Sequence, residues 1–98
     1  MLVRIIKSYR DIVAVCDSEL LGKRFEENNF QIEVKESFFK GEDFPEDKVV
    51  EIMRKMSLED STFNIVGEKS VGAALKAGII SEGQIGEIQG IPFAIILL

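Results

Sequence analysis

One stretch constrains this chain more than any other: Asn64–Ile80, which reads NIVGEKSVGAALKAGII. A short apolar run, Ile65 and Val66, meets Gly67; a helical pattern opens at Glu68 and Gly78 closes it. Gly78 suits the left-handed position just past a helix end. Val71, Ala74 and Leu75 form a narrow apolar face that lets such a helix lie close on a sheet. A strand, a glycine turn and a helix in immediate succession gather backbone N–H groups at the helix start, a natural place for an anion or a partner's backbone.

Around that segment the hydrophobic periodicity predicts further elements. Leu2–Lys7 and Ile12–Cys16 are rich in Val and Ile and flank a short polar loop, which predicts a β-hairpin. Asp17–Gly22 offers a cap, an apolar pair and a stop glycine, enough for one helical turn. Asn28-Asn29 signals a turn, after which Phe30, Ile32 and Val34 alternate with polar residues as in a strand with one wet face. Phe38-Phe39-Lys40-Gly41 ends that strand or begins a loop. Pro45 is placed to open a helix, followed by Glu46 and Asp47 where negative charge suits the dipole. Val49, Ile52, Met53 and Met56 share one face of it, and Glu51 and Lys55 stand at ion-pair spacing. Phe63–Val66, Ile79-Ile80, Ile85–Gln89 and Ile91–Leu98 read as strands, punctuated by Gly83, Gly86 and Gly90. The expected fold is a single α+β domain over residues 1–98, an antiparallel or mixed sheet of about five to six strands with two main helices on one face.

Composition narrows the chemistry. At 98 residues the chain can bury roughly 65% of its unfolded surface, enough for one core. It has no histidine and a single cysteine, so an internal disulfide, a Cys/His zinc site and Ser/His or Cys/His nucleophile pairs are all excluded. Cys16 lies in an apolar run and reads as a small core hydrophobe. Glu42, Asp43, Glu46 and Asp47 are dense but lack the ligand spacing of a calcium loop. No metal, no cofactor and no catalytic residue is expected. The net charge of −5, without a basic run, argues against general DNA binding, whose affinity comes from phosphate neutralisation. The charged N-terminal segment does not read as a signal peptide, and the apolar run Ile91–Leu98 is far short of the ~20 residues of a membrane span, so a cytoplasmic protein is expected.

Gly67-Glu-Lys-Ser-Val-Gly72 has the outer spacing of a phosphate-binding loop, but Ala73-Ala74 stands where the Lys-Ser/Thr pair belongs. Without that lysine and hydroxyl, nucleotide hydrolysis has neither its cation nor its Mg²⁺ ligand. A weaker use survives: Gly67 as helix cap, the N–H groups of Lys69 and Ser70, the Lys69 ammonium and the Ser70 hydroxyl form a corner suited to an RNA phosphate or a carboxylate. Lys23, Arg24 and Lys40 are the candidate supporting charges. Phe38-Phe39 beside Lys40 has the mix that stacks nucleobases. Lys23-Arg24 followed by Glu26-Glu27 also reads as a solvated mixed-charge loop.

Several pieces taken in order carry a resemblance: VCDSELLGKRFE (Val15–Glu26), FFKGE (Phe38–Glu42), NIVGEKSV (Asn64–Val71) and QGIPFA (Gln89–Ala94). Together they resemble a family of small archaeal proteins known as domain of unknown function 424, across nearly the whole chain. The resemblance implies a single-domain cytosolic protein without an assigned activity, in the company of translation and ribosome-maturation genes. Relatives often carry a histidine after the proline of the last motif; this chain has Phe93 there. The expected function is a small binding module touching RNA, the ribosome or a ribosomal protein. The competing expectation is a protein-interaction or structural subunit, such as a homodimer joined through an exposed strand edge.

Overall fold

The computed structural model describes residues 1–97. The Val/Ile-rich runs form the predicted hairpin: β1 (Leu2–Ile6) and β2 (Ile12–Cys16) pair antiparallel, with Leu2 opposite Cys16 and Ile6 opposite Ile12. A 3₁₀ turn follows at Ser18–Leu20. β3 (Arg24–Glu27) and β4 (Phe30–Glu33) then make a separate two-stranded hairpin around Asn28-Asn29, where Asn28 takes φ 57°. The loop reading of Lys23–Glu27 is therefore corrected. Phe25 sits opposite Ile32 as the pair turned toward the core, while Arg24 is held by Gln31 at 2.7 Å and Glu26 at 2.9 Å. One apolar residue in four gives too little alternation for a strand to show in the sequence.

Glu36–Phe39 forms one helical turn, α1, instead of continuing β4. β5 (Glu42–Asp43) is a two-residue strand on β1 that no pattern announces. α2 (Glu46–Ser57) starts one residue past Pro45, which is the cap, and buries Val49, Val50, Met53 and Met56. Within the helix Lys48 pairs with Glu51 at 3.5 Å, not Glu51 with Lys55 as the spacing suggested, and Glu46 pairs with Lys76. β6 (Thr62–Val66) and α3 (Glu68–Ala77) appear as predicted, and Gly78 takes the left-handed C-cap with φ 75°.

Ile79-Ile80 is not a strand. The Ile79 N–H bonds Ala74 O at 3.2 Å, closing α3, and Ile80 drops into the core. A 3₁₀ turn at Glu82–Gln84 shortens the next strand to β7 (Gly86–Ile88), and β8 (Ile91–Ile96) closes the series. The last residue of the predicted strand, Leu98, lies outside the described residues.

The six-stranded mixed sheet runs β5-β1-β2-β6-β8-β7, with β2 and β6 parallel and every other neighbouring pair antiparallel. α2 and α3 both cover one face, over Val3, Val13, Val15, Phe63, Ile65 and Ala94. The β3–β4 hairpin and α1 cover part of the other, over Ala14, Cys16 and Val66. Register sorts that second face into rows. The row Leu2, Cys16, Val66, Phe93 lies under the hairpin; the row Arg4, Ala14, Asn64, Ile95 lies at its margin.

Candidate functional site

The parallel pairing of β2 with β6 sets Cys16 beside Val66, so Asp17 and Gly67 leave the sheet side by side. The Asp17 N–H extends the ladder onto Val66 O at 3.1 Å. Gly67 takes φ 115° as the N-cap of α3, a conformation open to glycine, and a Cβ there would stand 2.4 Å from Asp17 Cγ.

That close approach delivers a carboxylate to the helix start. Asp17 Oδ2 accepts the Lys69 N–H at 3.1 Å, and Oδ1 accepts both the Ser70 N–H at 2.8 Å and the Ser70 hydroxyl at 2.7 Å. Asp17 is 4% exposed and Ser70 is fully buried. The corner suited by sequence to an external anion is thus filled by the chain's own anion. The helix dipole and two of its orphan donors are satisfied from within. This corrects the sequence reading: Gly67, Lys69 and Ser70 do meet, but their N–H groups are not free. Asp17, read from sequence as the cap of the turn Asp17–Gly22, makes no side-chain bond to that turn and caps α3 instead.

The supporting charges stand on other elements. Lys69 is exposed on α3; Lys23 and Arg24 lie at the start of the β3–β4 hairpin, Arg24 engaged by Gln31 and Glu26. Lys40 follows α1, and its carbonyl accepts Arg4 Nη1 at 3.5 Å. Phe39 is buried and Phe38 half-buried, edge-to-face at 5.2 Å, so neither ring lies open as a stacking platform. Cys16 is fully buried. Burial, and secondarily the adjacent Asp17 charge, pushes its thiol up to about 11, so it stays protonated at neutral pH and packs as a small core hydrophobe.

The open feature is elsewhere, on β8. The Gly67 N–H bonds Pro92 O at 2.9 Å, which makes that a hydrogen-bonded pair of the antiparallel β6–β8 ladder. Alternation then turns the main chain of Ala94 and Ile96 toward β6, and that of Phe93 and Ile95 away from it. β7 meets Phe93 through Gly86 but goes no further. Gln84, which would come opposite Ile95, instead gives its N–H to Ser81 O at 2.9 Å. Among the described residues, β8 has a strand neighbour on one side only from Ala94 to Ile96. Ile95 and Leu97 are 56% and 77% exposed there. Ile95 also borders a cavity of about 180 Å³ between sheet and hairpin, lined by Ile32, Phe38 and Phe93, with Glu33 and Asn64 as its polar members.

Comparison with known proteins bears on the whole chain. The family model described as "Protein of unknown function (DUF424)" matches residues 6–98. The chain belongs to that family. DUF424 therefore spans the hairpin, the Asp17 corner and the β8 edge alike. A solved structure, "Crystal structure of an uncharacterized conserved protein from Methanopyrus kandleri", is similar to this DUF424 chain at 25% identity and a TM-score of 0.87. The alignment covers 97% of this chain and 88% of that one. No curated protein matches the chain. No helix among the described residues is long and apolar enough to cross a membrane.

Proposed function

We propose that this DUF424 protein is a protein-binding module that receives an extended segment of another chain on the open edge of β8. The observation that supports this reading is the one-sided pairing of Ala94–Ile96 with the exposed side chains of Ile95 and Leu97 beside it. Unpaired strand edges are normally blunted by charge, proline or brevity. The opposite edge of this sheet follows that rule: β5 is two residues long and both are acidic. The β8 edge carries neither charge nor proline from Ala94 to Leu97. An added strand satisfies the outward groups of Ile95 and covers both apolar side chains. The RNA reading has less support, because its central anion corner is occupied by Asp17.

The test is amide chemical-shift mapping on isotope-labelled protein, titrated in parallel with a set of β-forming synthetic decapeptides and with a single-stranded RNA of about 20 nucleotides. Peptides are expected to move the amides of Ala94–Leu97, and RNA to leave Lys69 and Ser70 in place. Ile95→Pro removes an outward-facing donor without touching a β6 bond, and should abolish the peptide response. RNA shifts at Lys69 and Ser70 with silent peptides would overturn the proposal.

A further inference from the structure

The open stretch of β8 is a slot with one closed end. We infer, resting on the strand-addition reading above, that it takes the free N-terminal end of a partner protein, laid parallel to β8 with its α-ammonium at the closed end. A strand added at Ile95 lies in line with β7, because both neighbour β8 on the same side. Gly86 of β7 already stands opposite Phe93, two residues and about 7 Å along β8 from Ile95. An added strand that reaches Gly86 has to stop or leave the sheet.

Both ways out of the sheet are closed there. On the helix face, Ile85 immediately before Gly86 packs into the core beneath α2 and α3, and its N–H bonds Glu82 O at 3.3 Å. On the hairpin face, the Phe93 ring lies over Gly86: a Cβ on that glycine would stand 2.5 Å from Phe93 Cζ. Phe30 of the hairpin is tilted against the same ring, with centroids 5.4 Å apart. An internal segment has no path onward, whereas a chain end fits.

Charge selects which end. A segment antiparallel to β8 would bring a carboxylate to the closed end; a parallel one brings an ammonium. From Ala77 to Leu98, which spans the 3₁₀ turn, β7 and β8, the chain has Glu82 and Glu87 and no lysine or arginine. The whole chain stands at −5. That field favours the ammonium and opposes the carboxylate. The sheet already holds one parallel pair, β2 with β6, so parallel addition brings in no new kind of ladder. A second copy of this chain carries the same −5 and is disfavoured as the occupant.

Fluorescence anisotropy with four versions of an alternating valine–threonine decapeptide, labelled near its carboxyl end, tests this. The first has a free amino end; the second is acetylated there. The third carries a hexaproline extension at the amino end and the fourth carries it at the carboxyl end; proline lacks the N–H a ladder needs, so the extension itself cannot fill the slot. The first and fourth are expected to bind alike. The amino-end extension should weaken binding at least tenfold, and acetylation at least threefold. Phe30→Ala, at a residue already 45% exposed, should recover at least threefold of the loss on extension. Equal binding of the first and third peptides, still lost in Ile95→Pro, overturns the closed end and leaves strand addition standing. Loss on the carboxyl-end extension instead reverses the direction and overturns the N-terminal assignment. Binding of none, with no shift at Ala94–Leu97, overturns both readings. A dimer by sedimentation at micromolar concentration, abolished by Ile95→Pro, overturns the inference by making a second copy the occupant.

Discussion

Asp17 and Ser70, 53 residues apart in sequence, are joined twice: one carboxylate oxygen accepts both the N–H and the hydroxyl of the serine. Both residues are buried, so the bonds operate with little competition from water. They tie the end of β2 to the start of α3 and hold that helix against the sheet.

Removing the carboxylate is costly. Asp17→Ala should destabilise the protein by about 3 kcal/mol, combining a lost helix cap with backbone donors left buried and unpaired. Ser70→Ala should cost about 1 kcal/mol. Because the two share an oxygen, a double-mutant cycle by urea denaturation should return a coupling of about 1 kcal/mol or more. Strict additivity would mean that the bonds contribute little.

Gly67 admits no side chain. Gly67→Ala forces a non-glycine residue to φ 115° and presses a methyl group against Asp17 Cγ. The expected loss is about 3 kcal/mol or more, read as a lowered urea midpoint or failure to accumulate folded protein. Gly72→Ala, where nothing lies within 4 Å of a new Cβ, is the control and should be neutral or stabilising by up to about 1 kcal/mol.

Cys16 predicts a pH dependence with a definite sign. Its thiol is held at about 11 in the folded state against 9.0 for an ordinary one. Between these values the unfolded chain has released the proton and the folded chain has not, so stability falls as pH rises through that window. Below pH 9 the group has no effect. The difference between wild type and Cys16→Ala should shrink by up to about 2–3 kcal/mol from pH 8 to pH 11. In the native state at pH 8, a thiol reagent should label Cys16 only as fast as the protein opens.

The Lys69 side chain is expected to be inert. Lys69→Glu should change stability by no more than about 0.5 kcal/mol, because the residue is exposed and only its N–H is used by the fold. Phosphate should raise the melting temperature no more than chloride at equal ionic strength. A specific phosphate-dependent rise, lost in Lys69→Glu, would show that an outside anion competes with Asp17.

The sequence was most legible where periodicity was strong. The stripe Val49, Met53, Met56 and the succession Val66, Gly67, Glu68 carried α2, β6 and α3 at nearly their observed bounds. It was silent where tertiary contact chose the structure. Arg24–Glu27 is a strand because Phe25 and Ile32 find the sheet, and β5 exists because β1 offers an edge. Ile79-Ile80 has a strand's composition but is used to close a helix and fill the core. The Asp17 corner was half legible. The glycine turn and its donors showed in the local pattern, whereas their acceptor arrives only through the parallel neighbour strand. No local pattern could reveal that the 3₁₀ turn at Glu82–Gln84 delays the start of β7 and leaves Ile95, among the described residues, with a strand partner on the β6 side only.

The parallel match of β2 to β6 has a consequence for how the chain assembles. A slip of one residue between those strands would carry Asp17 away from Lys69 and Ser70 and leave the first turn of α3 without its acceptor. The cap therefore proofreads the register of the sheet's most distant pairing. α3 cannot dock fully until strands 50 residues apart in the chain have met in the correct frame, which places its docking late in folding. The Ser70 amide should accordingly exchange its hydrogen at the rate of β2 and β6, not at the faster rate of a fraying helix end.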